Sequence, residues 1–521
     1  MTRRTGSMSA WLLACAAGLL HAAAFASTAD HSQFKQLQQA FTSGSAVTRV
    51  CLECHSKAAD EVMASKHWTW SFPDPHSKKM LGKQNVLTSF SLGIQSNNPT
   101  CNACHIGYGW KDNSFDFTAR ENVDCLVCHD TTGAYRKGTG MAGHPPVVGM
   151  ALPEGTKPVD LADVAQNVGK TSRDTCGTCH FRGGGGDGVK HGDLDSSLAA
   201  PDKEVDVHMD ALGLDFACTE CHKTTDHQVA GSRYALTAKD PHGAMLRGAK
   251  DGRNPATCQA CHGSAPHKVA RLNRHGDKLA CQTCHIPQYA RGGIATKMSW
   301  DWSAAGRRDQ NGQPLLTRDD EGRIVYDAKK GSFTYGENAV PDYFWFNGKV
   351  DHLTVADKID PAKPVPLNRF HGSADDGQSR IWPFKLMHAV QPYDRVHLTM
   401  LKAHTTGNDD DSYGTSFDWE KAIARGMKDA GKPFSGQYAF VQTEMSWPIT
   451  HMVAPKEQAL SCVACHGAES RLAGVPGIHM PGHHAHGWLD TLGWALAGLS
   501  VLGVIAHGAG RAYAHRKGAR K

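Results

Sequence analysis

The sequence predicts short helices and glycine-rich loops around a core that side chains alone do not fill, with a small sheet insertion and one membrane-spanning helix near the C-terminus. Three observations carry this. Of 521 residues only 40 % are hydrophobic while 54 are glycine, lean material for the interior of so long a chain. There are 17 Cys and 31 His, and nearly all the cysteines stand in one recurring pattern. A run near the end, Thr491 to Ala506, is apolar throughout. A net charge of +5 with 21 % charged residues is ordinary and implies no nucleic-acid surface.

The recurring pattern is Cys-x-x-Cys-His. It occupies Cys51, Cys54 and His55; Cys101, Cys104 and His105; Cys125, Cys128 and His129; and Cys176, Cys179 and His180. It returns at Cys218, Cys221 and His222; Cys258, Cys261 and His262; Cys281, Cys284 and His285; and Cys462, Cys465 and His466. Eight motifs use sixteen cysteines and leave Cys15 over. Chance placement at this composition would give roughly 0.03 motifs, from the Cys frequency squared times the His frequency times the length.

Covalent haem attachment explains each part of the pattern. Two thiols add across the two vinyl groups of one porphyrin, and two intervening residues set their separation. The histidine that follows is carried under the ring, where its imidazole binds iron. A zinc site needs further ligands and no His directly after the second Cys, and a disulfide framework needs none either. Eight covalently bound haem c groups are therefore expected, with His55, His105, His129, His180, His222, His262, His285 and His466 as proximal iron ligands. Motif starts lie 50, 24, 51, 42, 40, 23 and 181 residues apart, so seven of the groups are packed into the span Cys51 to His285. The macrocycles then supply much of the buried apolar surface.

Each iron has a sixth position. A second imidazole there closes the haem, and an empty or weakly held position lets it bind substrate. By local context the distal candidates are His67, His191, His208, His227, His267, His275, His388 and His451, with His76, His242 and His404 in reserve. Eight names for about seven places include at least one that does not belong. Lys137 follows the third motif in CLVCHDTTGAYRK. A lysine amine binds iron only when deprotonated, against an ordinary pKa of about 10.4, and spacing alone favours a surface lysine beside Arg136.

The rest of the chain orders itself around these motifs. Residues 1–26 read as a secretory signal: Arg3 and Arg4, an apolar run from Met8 to Leu20, and Ala24-Phe25-Ala26 as a cleavage site. Leu12-Leu13-Ala14-Cys15 faintly resembles a lipoprotein box. A polar helical lead-in follows, to about Ser45. Residues 27–470 form the haem-bearing domain: haem-dense over 51–291, haem-poor over 292–450, with the eighth group at 462–466. Within the haem-poor part, Asn311-Gly312 and Glu321-Gly322 mark turns of a small sheet or hairpin between Trp300 and about Phe370. Ile381 to Ala403 and Trp419 to about Ala430 have helical spacing. Residues 471–487, with His479, His483, His484 and His486, are a linker. Residues 488–510 are long enough for one membrane crossing. The basic tail 511–521 would be cytoplasmic by the positive-inside tendency, which places the bulk on the periplasmic side of a bacterial inner membrane.

The eight motifs, the long haem-free stretch before the last, and the segments CLVCHDTTGAYRK and LACQTCHIPQYARGG resemble the octahaem tetrathionate reductase family, over about Cys51 to His466. The resemblance implies a mainly α fold with little sheet and a haem arrangement like that of the nitrite reductase and hydroxylamine oxidoreductase families. It also implies a haem on His105 capped by a lysine, for which Lys137 is the best match and Lys111 the fallback, with His105 and Lys137 as the catalytic pair. The expected activity is reduction of a small inorganic substrate: tetrathionate, nitrite or hydroxylamine. Electrons would come from a quinol-oxidising or cytochrome b-like membrane partner. The competing reading is a conduit with every iron sealed. Oligomeric state is not legible.

Overall fold

The structure, a computed structural model, describes residues 29–519 apart from 75, 153, 235, 240–255, 468 and 479–486. The expected signal segment, the reserve ligand His242 and the histidines of the linker lie outside the described residues.

Every Cys-x-x-Cys-His motif sits on or at the end of a short helix. The helices are Gly44–Cys54, Asn98–Cys101 running into Asn102–Cys104, Leu126–His129, Arg173–His180, Cys218–Cys221, Gln259–His262, Cys281–His285 and Cys462–His466. The local reason is geometric. One helical turn brings residues i and i+3 to the same face, so both thiols face one side and the histidine follows at the turn's end. Polar caps start the longer ones. Ser43 accepts from the amide of Ala46, and Ser172 forms a reciprocal capping box with Thr175.

Between the seventh and eighth motifs the chain builds a nine-stranded sheet. Its strands are β1 (Thr296–Asp301), β2 (Leu316–Arg318), β3 (Ile324–Asp327), β4 (Gly331–Gly336), β5 (Asp342–Phe346), β6 (Val365–Pro366), β7 (Arg380–Asp394), β8 (Thr399–Met400) and β9 (Tyr438–Pro448). The order is β6-β9-β7-β1-β4-β3-β2, with β5 and β8 paired to β7 as well. The central pair, β7 and β9, is antiparallel from Phe384 opposite Pro448 to Asp394 opposite Tyr438. Strand β1 joins β7 in parallel through Ser299 opposite His388. The β2–β3 turn contains Glu321-Gly322, and Gly322 takes φ +80°, a conformation L side chains resist.

The sheet exceeds the small insertion and the little sheet expected. The segment Ile381 to Ala403, whose spacing reads as helical, is instead β7 and β8. Strand β7 is buried on both faces over most of its length, so its apolar residues do not alternate cleanly with polar ones. Pro383 and Pro392 lie inside it, where a helix would lose hydrogen bonds and clash. The helix Trp419–Asp429 does form, capped by Asp418, and buries Ala422, Ile423 and Met427 against the sheet's cluster of Trp300, Met387, Met445 and Trp447.

The last element is the helix Gly487–Gly518, 32 residues long, long and apolar enough to cross a membrane. None of its membrane-length window is buried by the rest of the chain.

Candidate metal centres

Seven of the eight motif histidines face a second imidazole. The ring centres are 6.3 Å apart for His31 and His55, 6.2 Å for His67 and His180, and 6.5 Å for His129 and His227. They are 5.9 Å apart for His208 and His262, 6.3 Å for His222 and His451, 5.7 Å for His267 and His285, and 6.2 Å for His275 and His466. An imidazole nitrogen binds a transition metal at about 2.0 Å, and its ring centre lies about 1.1 Å beyond. Two imidazoles on opposite sides of one metal therefore stand about 6.2 Å apart, the spacing seen here.

Several of these rings are oriented from behind. His129 Nδ1 lies 2.8 Å from the carbonyl of Gly169, His222 Nδ1 2.9 Å from that of Ala230, and His275 Nδ1 2.9 Å from that of Arg271. His227 Nδ1 lies 2.8 Å from Glu61. A proton committed there leaves Nε2 as the free donor and fixes the ring's tilt. Burial pushes His180 down to about 3, which keeps it neutral and ligand-ready. His451 moves the other way: burial lowers it, but the Asp193 carboxylate, as hydrogen-bond partner and charge, raises it further.

The motifs also touch one another. Sulfur atoms meet between Cys51 and Cys125, Cys104 and Cys179, Cys176 and Cys218, and Cys258 and Cys281. Cys128 feels Cys176, Cys221 feels Cys258, and Cys284 feels Cys465. Together these interactions link the first, third, fourth, fifth, sixth, seventh and eighth motifs in a row, with the second branching from the fourth.

His105 is the exception. Among the described residues it faces no other histidine; its fully buried ring is enclosed by Trp68, Trp70, Trp110 and Phe115, with centres 4.7–5.7 Å away. Its Nε2 lies 2.7 Å from the Trp68 carbonyl and its Nδ1 has no partner. Burial, with Lys137 and Lys83 adding to it, lowers its pKa to about 3. A cavity of about 370 Å³ opens beside Trp68, lined also by Met63, Thr69, Ser71, Gln84 and Phe117.

Lys137 is brought to the same place, but to the backbone side. Its buried ammonium lies 3.2 Å from the buried carboxylate of Asp124 and donates to the carbonyls of His105 and Gly107. Asp124 also accepts from the hydroxyls of Tyr108 and Tyr135, each at 2.8 Å. In the structure the Lys137 amine, expected to cap the His105 iron, is engaged with Asp124 and the two carbonyls. Lys111 is exposed.

Of the eight distal candidates, His67, His208, His227, His267, His275 and His451 face motif histidines, whereas His191 and His388 do not. His191 is buried with its ring 5.4 Å from that of Trp447 and its Nε2 unpartnered. His388 points outward from β7, its Nδ1 3.5 Å from Glu444 on the neighbouring strand. In reserve, His76 is exposed and His404 is held by the Ser96 carbonyl and Asp409. The partner the sequence reading missed is His31. The available signal was that it is the only histidine between the expected cleavage site and Cys51.

A family model described as cytochrome c bacterial matches residues 297–469, and one described as cytochrome c554 and c-prime matches residues 50–130. The crystal structure of octaheme cytochrome c from Shewanella oneidensis superimposes with a TM-score of 0.76 at 40 % identity, covering 88 % of this chain and 100 % of that one. No curated protein matches.

Proposed function

The chain belongs to the octahaem c-type cytochromes and carries covalently bound haem c, and from that premise we propose that it is a reductase for a small oxidised sulfur or nitrogen substrate, namely tetrathionate, nitrite or hydroxylamine. The donor set fits the group: sixteen thiols in eight Cys-x-x-Cys-His motifs, with seven of the motif histidines opposite a second imidazole. Bound haem c supplies a series of one-electron iron centres, of which one lacking a second imidazole is able to take a small ligand.

The single observation that carries the reading is the asymmetry between His105 and the other seven. His31, His67, His208, His227, His267, His275 and His451 act as the second imidazoles of the sealed centres. His105 anchors the open one, where a small molecule reaches the reacting position. Trp68, Trp70, Trp110 and Phe115 exclude water around it and hold its ring. Lys137 is a positioning residue: through Asp124 it fixes the carbonyls of His105 and Gly107 and so the path of the chain under the ring. The Gly487–Gly518 helix holds the protein at the inner membrane, its body on the periplasmic side, within reach of a quinol-oxidising or cytochrome b-like donor.

One observation favours the conduit as second reading. The sulfur contacts join all eight motifs, which suits passage of electrons through the whole molecule to another protein. Ligand binding separates the two. The reduced protein should bind carbon monoxide at one haem in eight, and His31→Ala should raise that to two. Turnover with reduced dye should then consume tetrathionate, nitrite or hydroxylamine. Eight low-spin haems that bind no carbon monoxide and turn over none of the three would leave only the conduit.

A further inference from the structure

Beside the open centre stands a group of basic side chains that form no ion pair among the described residues. Lys190 Nζ lies 5.3 Å from the ring centre of Trp447 and 5.3 Å from that of Phe90. Arg233 lies 5.2 Å from the same Trp447 ring. His191, next in sequence to Lys190, packs edge-on to Trp447 with a buried, unpartnered Nε2, and Arg233 has a buried, unpartnered Nη1. A guanidinium donor and an imidazole nitrogen are thus buried with nothing to pair with among the described residues. The neighbouring carboxylate, Asp193, is divided: one oxygen accepts the amides of Thr450 and His451 and faces the His451 ring, while the other is buried without a hydrogen-bond partner and its charge acts on Arg233.

The cluster belongs to the His105 region. The field of Lys190, with those of Lys83 and Lys137, reaches the Cys104 thiol. Lys83 sits 4.0 Å over the ring of Trp70, which packs edge-on to His105. Burial lowers the Lys190 pKa well below its ordinary value, and the charges of Arg233 and Lys83 lower it further. Like charges drawn together in a low-dielectric interior repel strongly, and an anion between them removes both the repulsion and the unmet hydrogen bonds. The backbone is built to keep them there. Lys385, buried in β7, donates to the carbonyls of Val189 (2.8 Å) and Lys190 (3.3 Å) and so holds the Lys190 segment against the sheet.

We propose that Lys190, His191 and Arg233, clustered on the ring of Trp447, form the binding site for a small inorganic oxyanion at the approach to the His105 centre. This deepens the reductase reading and rests on it for the identity of the anion as substrate. Among the three candidate substrates it favours the anionic ones, tetrathionate and nitrite, over hydroxylamine, which is neutral near pH 7. A carboxylate of the prosthetic group is the other anion that could take the same donors.

The test uses the holoprotein with Lys190→Gln and Arg233→Gln, and Arg233→Lys as a variant that keeps the charge. Sulfate, redox-inert, is titrated by calorimetry; nitrite and carbon monoxide are titrated against the haem spectrum. Sulfate should bind the wild type at one site, and nitrite and sulfate affinity should both fall about 10- to 100-fold in the Gln variants. Carbon monoxide affinity, blind to charge, should stay within a factor of about two, and Arg233→Lys should recover part of the anion affinity. Sulfate binding that responds to the variants, with no haem binding carbon monoxide, would keep the anion site and remove the reductase reading. Carbon monoxide binding with anion affinity unmoved by the variants would do the reverse. A shifted midpoint potential of one haem without any change in anion affinity would assign the cations to the prosthetic group and overturn the proposal.

Discussion

Lys137 shows what a single side chain contributes here and why its partners are not legible in sequence. The stretch CLVCHDTTGAYRK places a lysine at eight residues from His129, and nothing in that spacing tells which motif it serves. Folding carries it instead to the His105 segment, where Asp124, Tyr108 and Tyr135 close a buried network around it. Removing one member of a buried ion pair leaves the other charged and unpaired, at a cost of about 3–5 kcal/mol. Lys137→Met should therefore lower the thermal midpoint markedly, whereas Lys137→Met with Asp124→Asn should recover much of the loss. Of the eight haem spectra only the one on His105 should change. A surface lysine would give neither effect. The proximal residues were legible because attachment chemistry fixes them within five consecutive positions. The second imidazoles were less so, because pairing is set in space: His451 meets His222 across 229 residues. His191 and His388 had a suggestive local context that the fold uses otherwise.

Strand β7 makes the same point for an element. Its fifteen residues mix apolar and polar side chains with no clean period, and a segment buried on both faces has nothing in its spacing to distinguish strand from helix. The prolines at 383 and 392 were the usable signal. The hairpin turns at Gly312 and Gly322 were legible because glycine at such positions answers a local backbone demand. The strand also contains a titratable device. Burial, only partly offset by Asp193, brings the Lys385 pKa down to about 7, while in the unfolded chain it is near 10.4. Between those values the unfolded state holds a proton that the folded state does not. The burial penalty is therefore relieved as pH rises from about 7 towards 10 and is felt in full below about 7, with a slope of up to about 1.4 kcal/mol per pH unit between those values. Denaturant unfolding of wild type and Lys385→Met at pH 7, 8 and 9 should show that the difference between them changes in this direction. Parallel pH profiles would show that Lys385 stays protonated in the fold.

For the whole molecule, the lean composition has a physical explanation. The haems supply apolar bulk that side chains elsewhere provide, so the protein part separates into several small clusters beside the one large cluster at the sheet. The exposed C-terminal helix is read as an anchor, which gives a direct check. A chain ending before Gly487 should keep its full haem content and its ligand binding, yet appear in the soluble periplasmic fraction. The full chain should require detergent for release. Recovery of the full chain without detergent would discard the anchor.

The pairing of His222 with His451, and of His275 with His466, implies an order of events during biogenesis. A nascent chain, emerging N-terminus first, presents its first seven attachment sites long before residue 451 emerges. Until then the fifth iron has only one protein ligand, and the eighth has no attachment site at all. Maturation intermediates arrested in that interval would be high-spin and vulnerable to peroxide, and the late-arriving sheet would be what retires that hazard.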